Sequence, residues 1–248
     1  MSSVRALVIA GPGTNRDHAA ARALTLAGAE AEIARSSALL AEPGRLDRYQ
    51  LLVIAGGFSH ADALGAGRML ALELMRGADG ALGSALLGFV DRGGAILGIC
   101  NGFQVLTRAG LLPGALGHND HGRFECSWVE LEPMPSRSIW MDGVESTIEC
   151  PIAHGEGRYA HSDPEKLMAD GQVALRYRGR NPNGSVADIA GVCDATGQVM
   201  GLMPHPEDHV LATQHPHHHF DVRGNGTDHR NTLGLQIFRA GVNQMRSA

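Results

Sequence analysis

The chain has 248 residues, with 21 basic and 26 acidic side chains for a net charge of −5. That length can bury a full α/β core, while the charge balance offers no basic face for nucleic acid and no stretch is apolar enough to cross a membrane. The four cysteines, Cys100, Cys126, Cys150 and Cys193, form no C-x-x-C pair and read as reduced thiols of a cytosolic enzyme.

Residues 4–10 predict a first strand and not a signal peptide. Gly11-Pro12-Gly13-Thr14-Asn15 follows, but a dinucleotide loop would need glycine where Arg16 stands. The pattern instead predicts a turn, with Asn15 capping a helix over 16–27 that Gly28 closes. Residues 29–34 predict a second strand. Residues 51–55 predict a third, apolar throughout like a central parallel strand, ending in Gly56-Gly57-Phe58-Ser59. Residues 67–91 predict a helix interrupted around 77–80. The next apolar run, 95–99, stops at Cys100 and gives way to a helical pattern at Val105 and Leu106. A strand, a sharp turn carrying a nucleophile and a helix make an elbow. The helix N-terminus then favours a thiolate and stabilises an oxyanion. The plainer alternative is a buried cysteine closing a core strand. Gly57 and Cys100 end neighbouring parallel strands, the edge where such sheets bind ligands, so Gly57 is a candidate oxyanion donor.

Beyond Pro113-Gly114, segments 124–131, 147–152, 173–177, 185–192 and 199–203 predict strands without helices between them, an antiparallel extension of the sheet. A last helix is predicted over 231–244. With no linker and no repeat, the prediction is a single domain over 1–248: an α/β fold with a mostly parallel central sheet flanked by helices. The last strand runs into Pro204-His205-Pro206-Glu207. On an extended segment held by proline, residues two apart point to one side. His205 is then a candidate base for Cys100, and Glu207 the carboxylate that orients the imidazole. Alone, a His-Pro-Glu turn would read as a solvated histidine; beside the elbow it reads as the rest of a triad.

Gly98-Ile99-Cys100-Asn101-Gly102-Phe103-Gln104 together with Met203-Pro204-His205-Pro206-Glu207 resembles the class I (triad) glutamine amidotransferases. Asn101 and Phe103 bring it closer to the glutaminase subunits of phosphoribosylformylglycinamidine synthase. Similar motifs run along nearly the whole chain: Pro12-Gly13-Thr14-Asn15, Gly56-Gly57-Phe58-Ser59, Arg123-Phe124-Glu125, Pro151 through Gly157, and Asn181-Pro182-Asn183-Gly184-Ser185. The resemblance implies a flavodoxin-like fold and a cytoplasmic glutaminase whose ammonia feeds purine biosynthesis. It implies Cys100, His205 and Glu207 as catalytic residues, and the backbone N–H groups of Gly57 and Asn101 as the oxyanion hole. Phe58, Gln104, His154 and Glu156 are candidates for the glutamine pocket or, equally, for structural support of the elbow. It implies L-glutamine as substrate, no cofactor in this chain, and a synthetase subunit as partner that holds ATP and Mg; a small bridging subunit stays open. Leu64-Gly65-Ala66-Gly67 and Arg123-Phe124-Glu125 look more like the glutaminase domain fused into the long single-chain synthases, which leaves the type of partner open. Chain-borne ATP chemistry has no G-x-x-x-x-G-K-[ST] loop to use, and Lys166 is the only lysine.

His205, His209, His215, His217, His218, His219 and His229 crowd the region after the triad. An H-E-x-x-H helix would need glutamate where Pro206 sits, so no functional metal is predicted. The segment 214–230 is long for a connection and suggests a lid or docking surface. Three other functions remain in view: a glutaminase serving another synthetase, a non-catalytic glutamine-sensing or scaffold subunit, and a stand-alone cysteine hydrolase.

Overall fold

A computed structural model describes residues 3–76, 78–218 and 233–247. The strands are β1 (Arg5–Ala10), β2 (Glu30–Arg35), β3 (Leu51–Ile54), β4 (Ala95–Ile99), β5 (Ala115–Gly117), β6 (Glu125–Pro133), β7 (Ile148–His154), β8 (Arg158–Ala160), β9 (Val173–Arg178), β10 (Ile189–Cys193) and β11 (Val199–Leu202). Nine of them form one sheet in the order β2-β1-β3-β4-β11-β10-β9-β6-β7, and β5 pairs with β8 apart from it. The first five in that order are parallel; the last four continue it antiparallel. The predicted division into a parallel half and an antiparallel extension holds. β3 and β4 are parallel neighbours with Leu51 opposite Ala95.

The helices are α1 (Asp17–Leu26), α2 (Ser36–Ala41), α3 (Arg68–Arg76), α4 (Ala81–Asp91), α5 (Asn101–Arg108), α6 (Pro164–Ala169) and α7 (Leu235–Ser247). α1 packs against α7, while α2 through α5 pack among themselves. Every residue of β3, β4 and β11 is buried, as a strand covered on both faces must be. That explains their uninterrupted apolar runs. The break predicted near 77–80 separates α3 from α4.

Several expectations need correction. Asn15 does not cap α1: Arg16 is the cap residue and makes no side-chain bond. The Asn15 and Arg16 N–H groups instead donate to Gly56 O at 3.4 and 3.2 Å, so tertiary pairing takes the place of a local cap. The antiparallel part is not helix-free. α6 lies before β9, with the Asp163 side chain accepting from Lys166 N–H and Pro164 at the first turn, a start signal that the sequence carries openly. α2 was also missed. Residues 186–188 form a short 3-10 turn, so β10 begins only at Ile189. The start predicted for the last helix, at 231, lies outside the described residues; α7 runs from Leu235. Among the described residues no helix is long and apolar enough to cross a membrane. All four cysteines are free.

Candidate active site

Two glycines allow the elbow. A Cβ on Gly102 would stand 2.0 Å from Ile54 O of β3, and one on Gly98 would stand 2.5 Å from Leu106 and 2.6 Å from Gly102 O. The first turn of α5 can therefore lie directly on the strands, and Cys100 sits between β4 and α5 with φ 50° and ψ −103°. Such a conformation costs a non-glycine residue about 1–3 kcal/mol and persists only where its surroundings hold it. Here Cys100 N–H donates to Leu202 O at 2.8 Å and Gln104 N–H donates to Cys100 O at 3.1 Å. The sulfur, only 4% of whose residue is exposed, lies 3.8 Å from Ala153 O.

β11, adjacent to β4, delivers His205. The imidazole Nδ1 lies 2.8 Å from Glu207 Oε1, with both side chains buried. Cys100 lies close enough to act on the charge of the same ring. Burial pushes the imidazole toward neutrality, but the Glu207 carboxylate and the Cys100 sulfur outweigh it and hold His205 well above the usual histidine range. The expected extended segment is absent. Pro206–Asp208 is a single 3-10 turn, and this turn, not strand alternation, brings Glu207 under the ring. Glu207 Oε2 is buried without a hydrogen-bond partner among the described residues. Asp208, beside it, pairs with Arg16 at 3.0 Å. His205, Glu207 and Asp208 are the one grouping among the described residues with metal-ligand proximity, and those two pairings already occupy it.

The glycine pair approaches from β3. A Cβ on Gly56 would stand 2.7 Å from His205 Cε1, so glycine there makes room for the imidazole. Gly57 has φ 141° and faces Thr14 as an isolated antiparallel bridge, closed by Asn15 N–H to Gly56 O and Phe58 N–H to Gly13 O. In that kind of pair the Gly57 N–H turns away from the 11–15 loop, and Gly57 lines the same cavity as Cys100. Asn101 N–H opens α5 and has no acceptor within its own helix.

A cavity of about 170 Å³ at Cys100 brings together the sequence candidates Gly57, Phe58, Gln104, His154 and Glu156. Sequence reasoning passed over Asp62, His118 and Phe124, which also line it. The Asn101 side chain does not face outward. Its Nδ2 donates to Gln104 Oε1 at 2.9 Å, and its Oδ1 accepts from Ser59 N–H at 3.3 Å. Gln104 Nε2 donates to Glu156 O at 2.7 Å, fastening α5 to the 154–157 loop. His154 Nδ1 meets Asn119 Oδ1 at 3.1 Å, and its Nε2 lies 3.5 Å from Asn183 Nδ2. Only a neutral ring that donates through Nδ1 and accepts at Nε2 satisfies both. Burial, reinforced by the neighbouring His205, lowers His154 to about 4. Asn119 and Asn183 belong to motifs visible in the sequence, but their spatial meeting was not.

The histidine-rich segment is described only through His218; His219 and His229 lie outside the described residues. His215 is buried, with its ring 4.7 Å from that of Trp128 and its Nε2 3.2 Å from Glu149. His209 Nδ1 meets Glu149 O at 2.6 Å. These two histidines pack against β6 and β7 and do not form a free loop.

A parallel sheet with a cysteine elbow beside a buried His–Glu pair defines a class: the triad type of glutamine amidotransferase. Comparison with known proteins agrees and goes further. Residues 3–245 match the family described as CobB/CobQ-like glutamine amidotransferase domain. Phosphoribosylformylglycinamidine synthase subunit PurQ of Treponema denticola is 42% identical, the match covering 96% of this chain and 98% of that protein. The PurQ subunit of Methanothermobacter thermautotrophicus is 39% identical over 82% of this chain and 89% of its own. Among solved structures, a chain of PurLQS from Thermotoga maritima superposes with a TM-score of 0.79 at 34% identity, covering 98% of this chain and all of that one. The chain belongs to the PurQ-type class I glutamine amidotransferases.

Proposed function

We propose that this chain is the glutaminase subunit of a phosphoribosylformylglycinamidine synthase, releasing ammonia from L-glutamine for the synthetase subunit of the same complex. The observation that carries the catalytic part is Cys100 held at positive φ against the buried His205–Glu207 pair. The Cys100 sulfur attacks the side-chain amide carbon of glutamine. Gly57 and Asn101 N–H groups receive the oxyanion, a contribution of about 3–4 kcal/mol per donor. His205 passes its proton to the amide nitrogen, ammonia leaves, and a γ-glutamyl thioester remains on Cys100. Water then attacks the thioester carbonyl, giving its proton to His205. The thiolate departs, glutamate is released, and Glu207 holds the imidazole's orientation throughout. The sum is glutamine plus water to glutamate plus ammonia.

This chain supplies no cofactor to those steps. ATP and Mg belong to the partner synthetase, which activates the amide of formylglycinamide ribonucleotide, and the pathway places the complex in the cytoplasm. Residues 1–248 form one glutaminase domain in this reading, supported by a single sheet that draws strands from residue 5 to residue 202. The test is labelling with a diazoketone analogue of glutamine, followed by mass spectrometry. The adduct is expected on Cys100, with glutamine-dependent amidation of formylglycinamide ribonucleotide when the synthetase is added. Absence of an adduct on Cys100 would reject the glutaminase reading. An adduct without transfer would keep the class and reject this acceptor.

A further inference from the structure

The cavity at Cys100 holds two carboxylates in different electrostatic states. Glu156 Oε2 accepts from Arg108 at 3.3 Å and Oε1 accepts from Ala66 N–H at 3.4 Å, so its charge is already answered. Among the described residues the Asp62 side chain has one hydrogen bond, from the neutral Asn101 Nδ2 at 3.5 Å to Oδ1. It forms no ion pair among the described residues, although it lines the same cavity as the nucleophile. Burial and the neighbouring Glu156 push the Asp62 carboxyl upward from its ordinary value, as expected of an acid short of positive charge.

The backbone presenting Asp62 is fixed. His60, Ala61 and Asp62 have φ of 51°, 53° and 54° in succession, a left-handed stretch that costs L-residues roughly 1–2 kcal/mol each. His60 Nε2 meets Glu73 Oε2 at 2.9 Å, Ser36 Oγ donates to Glu73 Oε1 at 2.7 Å, and His60 N–H donates to Pro12 O at 2.6 Å. α3 and the 11–15 loop thus hold Asp62 at the cavity wall from two sides.

L-Glutamine presents a neutral amide at one end and, three carbons away, an ammonium. A single cavity lined by a cysteine and by a carboxylate with no ion-pair partner among the described residues offers both kinds of chemistry. We propose that Asp62 is a specificity residue, accepting the α-ammonium of L-glutamine while Cys100 meets the amide carbon. The inference rests on the glutaminase function and adds the group that reads the amino-acid end of the substrate. Without it, Asp62 would serve only to position Asn101, and the two roles give different kinetics.

The test compares L-glutamine with 4-carbamoylbutanoate, the same amide without the α-ammonium, using the chain assembled with its synthetase. The wild type is expected to favour glutamine strongly. In Asp62→Asn, nearly the same in shape, kcat/KM for glutamine is expected to fall about 10- to 100-fold, as for loss of a charge-assisted bond. The loss should appear in KM, with 4-carbamoylbutanoate turnover unchanged and Asp62→Glu recovering part of it. Equal loss on both substrates would overturn the proposal in favour of a positioning role, and so would an unchanged preference. A wild type indifferent to the α-ammonium would overturn it without any variant. Diazoketone labelling of Cys100 in the wild type separates the two levels: labelling with no Asp62 effect removes only this inference, while no labelling removes the glutaminase function as well.

Discussion

Acid should loosen the 154–157 loop through one residue. His154 is 3% exposed, and its folded pKa is about 4 against an ordinary 6.5. The folded state therefore prefers the neutral ring, and the unfolded chain binds the proton first. Stability from this group is complete above pH 6.5 and is lost as pH falls toward 4. The difference of 2.5 units (6.5 − 4) corresponds to about 3 kcal/mol once both states are protonated, and to about 2 kcal/mol at pH 5. Protonation would also turn Nε2 into a donor facing the Asn183 amide N–H, removing the acceptor that the network needs. Urea unfolding of the wild type and His154→Gln at pH 8 and pH 5 measures this. The amide variant cannot titrate, so the wild type's advantage should shrink by about 2 kcal/mol between the two pH values. Other ionisable groups act on both proteins and cancel in the difference. A gap that stays constant from pH 8 to pH 5 would refute the assignment of a buried neutral imidazole.

Glu207→Gln removes the charge that holds His205 above its ordinary range. NMR of the ring should show the imidazolium losing its proton at lower pH than in the wild type, and kcat should fall by about 10⁴-fold, as when a triad carboxylate becomes an amide. Gly56→Ala places a methyl 2.7 Å from His205 Cε1; the imidazole must move, so kcat should drop by at least about 10²-fold while the melting temperature changes little. Gly102→Ala drives a methyl to 2.0 Å from Ile54 O, a backbone atom that cannot rotate away. A destabilisation above about 3 kcal/mol in urea is expected, together with loss of Cys100 labelling.

The elbow was legible because its geometry is written in residue size. Gly98 and Gly102 are absences that let α5 touch β4 and β3, and a two-residue spacing on either side of a cysteine records that contact. The apolar runs of β3, β4 and β11 were legible for a similar reason, since burial on both faces leaves no period to confuse. The order β9-β6-β7 was not legible. β6 pairs with β7 and with β9, and nothing local in 125–133 specifies the second partner. The α6 start, Asp163-Pro164, was legible and overlooked.

The positions hardest to foresee share one physical property. His60, Ala61 and Asp62 take positive φ without being glycine, against their local preference; Cys100 does too, and there the strand–turn–helix pattern, not propensity, made the turn readable. Contacts remote in sequence hold two of them: Leu202 O for Cys100, and Pro12 O and Glu73 for His60. Glu207 behaves similarly. Alternation along a strand predicted the right neighbour for His205 by the wrong route, because a 3-10 turn supplies the geometry. Local rules therefore find a cysteine elbow whose turn is marked by glycines. They miss a carboxylate whose turn is enforced from outside, and Asp62, placed at the wall of the Cys100 cavity at that cost, is where a substrate contact should be sought.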